Sequence, residues 1–151
     1  MTHIICGSKM YRNISFDNLV DHFDIIWRHN FLISNNNYGK KPSSRQVLNC
    51  HMYEKYKKKT SKQAIYQTYK IQYPSLDYSY ITRWHDYVHD TKKTSQIIYF
   101  PNNNTELLQT IISNYNISTL CIRKQIRCGM SSIAHCIKDK IKPFLIGFDC
   151  V

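Results

Sequence analysis

The sequence predicts a single α/β domain built on a mostly parallel sheet flanked by helices. Three observations carry this expectation. Short, Ile-rich apolar runs recur at 3–6, 23–27, 46–49, 96–100 and 143–147, each bounded by turn residues. The runs are continuous instead of alternating, as strands buried on both faces tend to be. Segments with helical spacing lie between them, which implies a layered sheet. The chain of 151 residues suffices for one ordinary domain and its core.

The helices follow from caps and spacing. Ser15 offers a start ahead of Phe16, Leu19 and Val20, which share one face. Residues 104–115 carry Leu107, Leu108, Ile111, Ile112 and Tyr115 in a second helical pattern, and 131–140 place Ile133, Cys136 and Ile137 at helical spacing. The segment 52–90 reads as a basic, Tyr-rich helical insertion, in which Tyr66, Tyr69 and Tyr73 recur at helical intervals. No internal repeat is visible.

Lys and Arg total 21 against 10 acids, a formal charge of +11, which attracts polyanions without specifying one. The excess is spread evenly along the chain, and Lys (15) outnumbers Arg (6), the better bidentate reader of phosphate. Charge alone is therefore weak evidence for nucleic acid. The run Tyr53-Glu54-Lys55-Tyr56-Lys57-Lys58-Lys59 interleaves bases with aromatics, as single-strand binders do, and equally describes a solvated lysine face with tyrosines packed inward. No apolar run reaches the length of a membrane helix, and the N-terminal apolar stretch is too short for a signal peptide, so a cytoplasmic protein is expected.

The six cysteines form no C-x-x-C pair and read as free, buried thiols. Cys128, His135 and Cys136 lack the tight pairing of a zinc site, and His85 and His89, four apart, lack the Glu and third ligand of a zinc protease. No metal or cofactor is expected.

The four glycines are the most informative residues. In a Gly-poor chain glycine is kept where a Cβ would clash or φ must be positive. Gly7 ends the first strand, Gly39 sits in a turn, Gly129 opens a helix and Gly147 follows the last strand. Strand-Gly and Gly-helix junctions at the carboxyl edge of an open sheet are where nucleotides bind in Rossmann-like domains.

The order of these elements resembles the sialyltransferase-like glycosyltransferases, which use a CMP-linked sugar donor. Phe23-Asp24-Ile25-Ile26-Trp27-Arg28-His29-Asn30 looks like that family's second strand with its Arg-x-Asn. Gly39-Lys40-Lys41 to Val47-Leu48-Asn49 looks like the third. Cys128-Gly129 with Ser132-Ile133-Ala134 looks like the late helix start, and Leu145-Ile146-Gly147-Phe148-Asp149 like the last strand. The match covers roughly 3–50 and 100–150. It implies a Rossmann-like, nucleotide-sugar-binding domain spanning 1–151, with the 52–90 insertion unassigned.

The resemblance places the donor against Gly7, Ser8, Arg28, Asn30, Asn49, Cys128, Gly129 and Asp149. Backbone at Gly7 and Ser8 would approach the nucleotide, Asn30 and Asn49 would offer amides to sugar hydroxyls or a carboxylate, and the helix after Gly129 would aim N–H groups at an anion. Asn30 and Asn49 are also suited to capping turns, and Gly129 to close packing.

Two departures qualify the likeness. The first loop, Gly7-Ser8-Lys9-Met10, lacks the family's second glycine and its Asn, and the family's catalytic histidine and phosphate-binding tyrosines follow the strand that here precedes Cys150-Val151. The expectation is a shortened relative that binds a CMP-sugar, either catalytically degenerate or active, with no catalytic residue assigned. If active, it would displace the nucleotide in line at the anomeric carbon. The alternative is a non-catalytic basic protein that binds nucleic acid or an acidic partner through 52–90.

Overall fold

The computed structural model describes residues 1–7, 15–34, 38–90, 96–99 and 128–148, with only the backbone of Cys128. Five strands run parallel: β1 (His3–Cys6), β2 (Ile25–His29), β3 (Arg45–Leu48), β4 (Ile97–Tyr99) and β5 (Phe144–Ile146). They form one sheet in the order β4-β3-β2-β1-β5. From β1 the strands build outward to β4 on one side, then β5 lies on the other. The order reverses between β1 and β5, the switch point of a Rossmann-like sheet.

The expected helix at 104–115, the end of the expected strand at Phe100, and Ser8 and Asp149 lie outside the described residues. The other strand expectations hold with shifted ends. β2 starts two residues later than 23–27 and runs on through Arg28 and His29. The reason is local: the Asp24 carboxylate accepts from the Thr2 amide (2.8 Å) and hydroxyl (2.9 Å), and Phe23 packs on Phe144 with ring centroids 5.2 Å apart. β3 stops before Asn49, which caps the next helix. β5 ends at Gly147, whose φ of +76° leaves the extended region.

Strand register sorts the side chains. Ile4, Cys6, Ile26, Arg28, Gln46 and Leu48 share one face, and Ile5, Trp27, His29 and Val47 share the other. The first face is covered near β1 by the short helix α1 (Asp17–Val20), where Ile4, Cys6, Val20, Ile26, Leu32 and Tyr38 cluster. Near β3 it is covered by α2 (Cys50–Lys57), α3 (Lys62–Gln72) and α4 (Tyr78–His89), which together make the crossover that parallel strands β3 and β4 require.

These three helices are the expected insertion. Each is opened by a side-chain cap worth about 1 kcal/mol: Asn49 to the Met52 amide (2.9 Å), Ser61 to Ala64 (3.2 Å) and Asp77 to Ser79 (2.9 Å). Ile65 and Tyr69 of α3 and Ile81, Trp84 and Val88 of α4 interlock over Leu48 and Met52. Burying each such large side chain contributes roughly 2 kcal/mol. Of the three spaced tyrosines, Tyr69 turns inward, Tyr66 is half-buried and Tyr73 is exposed.

The second face is covered by α5 (Cys128–Lys138), which begins three residues before the expected 131. Its Ile133 and Cys136 pack on Ile5, Trp27 and Val47. Among the described residues, no helix is long and apolar enough to cross a membrane.

Candidate functional site

Residues from distant parts of the sequence meet at the carboxyl edge of the sheet. Cys6-Gly7, His29-Asn30 and Leu48-Asn49 follow neighbouring strands, and the first turns of α5 come up beside them.

Asn30 takes a left-handed conformation (φ +52°), which Asn tolerates better than most residues. Its amide donates to the Val47 carbonyl (2.8 Å), extending the β2–β3 pairing by one residue. Its carbonyl accepts from Gln46 Nε2 (2.9 Å) and Trp84 Nε1 (2.8 Å). Its side-chain Oδ1 accepts from the Asn49 amide (3.0 Å), while Asn49 Oδ1 caps α2. The two asparagines are therefore joined, and both oxygens are used in holding backbone. The Asn49 side-chain nitrogen, half-buried and with no partner among the described residues, is the donor left to meet a ligand.

Next to them lies a pair that the sequence did not reveal. His29 is fully buried, with Nδ1 2.9 Å from the Cys6 carbonyl and Nε2 2.8 Å from Ser132 Oγ. A carbonyl only accepts, so Nδ1 carries the proton and Ser132 donates its hydroxyl hydrogen to Nε2. Burial pushes the imidazole pKa down to about 4, against the opposing pull of the Cys6 carbonyl. The ring is a neutral, fixed bridge between β1, β2 and α5. The only clue in sequence was parity: His29 lies two residues after Trp27 and Ser132 four before Cys136, so each pair shares a face.

This bridge makes stability pH-dependent. Between 6.5, the ordinary histidine value, and about 4, the unfolded chain takes up a proton that folded His29 refuses. Stability is full above that window and falls through it, by on the order of 3 kcal/mol for this group. Urea unfolding at about pH 7 and about pH 4.5 measures the fall, and His29→Gln is expected to flatten most of it.

The structure gives the remaining expected site residues different surroundings. Arg28 is fully buried, its guanidinium bonded to Tyr38 and Ser43 inside the protein, and it presents nothing to a donor. The Gly7 amide, expected to face a nucleotide, donates to the Ile146 carbonyl (2.7 Å). A Cβ at Gly7 would lie 2.3 Å from the Gly147 carbonyl oxygen, so contact between two loops explains the glycine. Gly129 stands in the first turn of α5, where a Cβ would come within 3.0 Å of the Phe148 ring. Among the described residues no group of three or more His, Cys, Asp or Glu could hold a metal; His85 and His89 adjoin on α4, with ring centroids 4.4 Å apart.

The fold and this edge define an α/β protein with an all-parallel, Rossmann-like sheet. No protein-family model matches the chain, and a search of curated proteins finds no match.

Proposed function

We propose that the chain binds a CMP-activated sugar at the carboxyl edge of its sheet, as a sialyltransferase-like domain. One observation supports this most. Asn30, Asn49 and the Gly129 helix start, spread over a hundred residues of sequence, lie together at that edge. An amide from Asn49 and the N–H groups of the first turn of α5 suit an anionic, hydroxylated ligand. The overall charge of +11 favours the same anion. No general base is assigned, so donor binding is the activity proposed; release of CMP in the presence of a sugar acceptor would distinguish a transferase.

Calorimetry with CMP and its sialic acid conjugate, against uridine and guanosine nucleotides, tests the reading. Asn49→Asp is the informative variant, because Asp caps a helix as well as Asn but exchanges the amide donor for a negative charge. Selective cytidine binding is expected, weakened about 10-fold or more in Asn49→Asp with the melting temperature unchanged. Equal binding of all nucleotides, or none, would sink it.

A second reading is favoured by the exposed lysines Lys57, Lys58 and Lys59 at the end of α2, with Lys57 Nζ 5.7 Å from the Tyr53 ring centroid. A single-stranded nucleic acid would meet charge and aromatic surface there. Its binding would fall with salt and be unmoved by Asn49→Asp.

A further inference from the structure

A cleft of about 420 Å³ opens between the β2–β3 connection and α4. Its walls are Ile33 and Ser34, the turn at Lys40 and Pro42, and Arg83, Asp86 and Tyr87 of α4. The volume lies within the range of small-molecule sites.

The backbone carrying these groups is firmly held. The amides of Gly39, Lys40 and Lys41 donate to the carboxylates of Asp17 and Asp21 at 2.9–3.0 Å, which fixes the turn that presents Lys40. On the helix side, the Tyr80 hydroxyl donates to the Phe31 carbonyl (2.5 Å), and the Arg83 guanidinium lies over the Tyr80 ring, 5.5 Å from its centroid. The Tyr87 hydroxyl accepts from the Ser43 amide (2.5 Å), tying the cleft floor to the loop before β3.

The charges in this cleft do not cancel. Asp86 is neutralised by Lys62, with Nζ to Oδ1 at 2.7 Å. Lys40 and Arg83 have no ion-pair partner among the described residues. Two exposed cations thus border one concavity, a planar guanidinium and a point ammonium, the combination that suits a phosphate dianion. The second carboxylate oxygen of Asp86 and the Ser34 hydroxyl add hydrogen-bonding groups beside an apolar wall of Ile33 and Pro42. Such groups match sugar hydroxyls and a sugar ring.

We propose that this cleft binds a phosphorylated sugar, its phosphate monoester between Lys40 and Arg83 and its hydroxyls toward Asp86 and Ser34. The site shares none of the residues proposed to hold a nucleotide.

The test is calorimetry on the full chain with ribose 5-phosphate, inorganic phosphate and ribose. Lys40→Ala and Arg83→Ala change exposed side chains, and circular dichroism verifies that each variant is folded. Ribose 5-phosphate is expected to bind about 10-fold tighter than inorganic phosphate, ribose not detectably, and each variant to lose about 10-fold or more of the affinity. Asn49→Asp is expected to leave this binding unchanged, so failure here and failure of the cytidine site are separate results. Binding that survives both cation variants, or that Asn49→Asp removes, would overturn the site. So would no binding of ribose 5-phosphate, and equal affinity for inorganic phosphate would overturn the sugar component.

Discussion

Arg28→Met is expected to destabilise the protein by about 3–5 kcal/mol and, on the proposed reading, to leave nucleotide binding at the sheet edge to other residues. The guanidinium is fully buried, and three of its N–H groups are committed: Nε (3.2 Å) and Nη2 (2.6 Å) to the Tyr38 carbonyl, and Nη1 (3.0 Å) to Ser43 Oγ. Ser43 in turn donates to Gln46 Oε1 (2.9 Å), and Gln46 Nε2 donates to the carbonyls of Asn30 and Leu32 (2.9 and 2.8 Å). Arg28 therefore heads a chain of bonds that fastens both ends of the β2–β3 connection to the sheet. Methionine fills the volume but leaves the Tyr38 carbonyl, itself buried, without these donors.

The charge is compensated at short range without a direct ion pair. A Cβ on Gly39 would lie 2.6 Å from Asp21 Oδ1 and 3.0 Å from Arg28 Nη2, so the two charges flank this glycine. Burial alone would raise the Asp21 pKa, but the Lys40 and Lys41 amides and the Arg28 charge hold it below its ordinary value. Thermal unfolding reads the effect directly: at about 2–4 °C per kcal/mol for a chain of this size, the midpoint should fall by roughly 10 °C. Arg28→Lys keeps the charge but not the fork, and should fall between wild type and Met. A Met variant of native stability that has lost nucleotide binding would instead restore Arg28 to the donor site.

Arg28 also shows what the sequence could and could not reveal. The sheet was legible because most of its strands are short continuous apolar runs, and the helical segment over β3 because Tyr66, Tyr69 and Tyr73 recur at helical intervals, although only Tyr69 of the three is buried. The Arg-x-Asn pattern suggests a ligand contact for Arg28, yet the residue sits on a central strand buried on both faces, on the same face as Ile26. Both asparagines follow strand ends and lie at the carboxyl edge of the sheet, whereas their bond to each other depends on a strand register that no local pattern encodes. The His29–Ser132 contact spans 103 residues and the Ser43–Tyr87 contact 44, and pairings at that separation appear only once the layers are assembled.

Gly7→Ala is expected to cost about 3 kcal/mol, because its Cβ would meet backbone and not a side chain that could turn aside. The nearest atoms are the carbonyl oxygen (2.3 Å) and carbon (2.7 Å) of Gly147. Gly147 has little room to retreat. Its own φ of +76° is a glycine conformation, and on that side the Tyr38 hydroxyl would lie 2.6 Å from a Cβ built there. The loops after β1 and β5 are thus packed glycine against glycine at the switch point, locked by the Gly7 to Ile146 hydrogen bond. An alanine must break that bond or tilt β5 away from β1. Gly129→Ala is the matched control: among the described residues its Cβ would meet only the Phe148 ring, at 3.0 Å, and alanine gains helix propensity, so a change within about 1 kcal/mol is expected. The comparison also tests where the proposed ligand would lie. On the proposed reading, the contact between the two loops leaves the ends of β1, β2 and β3 beside α5 for a nucleotide, so Gly7→Ala should retain any cytidine binding at temperatures where it stays folded. Loss of binding without loss of stability would put the nucleotide between the two glycines and overturn this account of the packed loops.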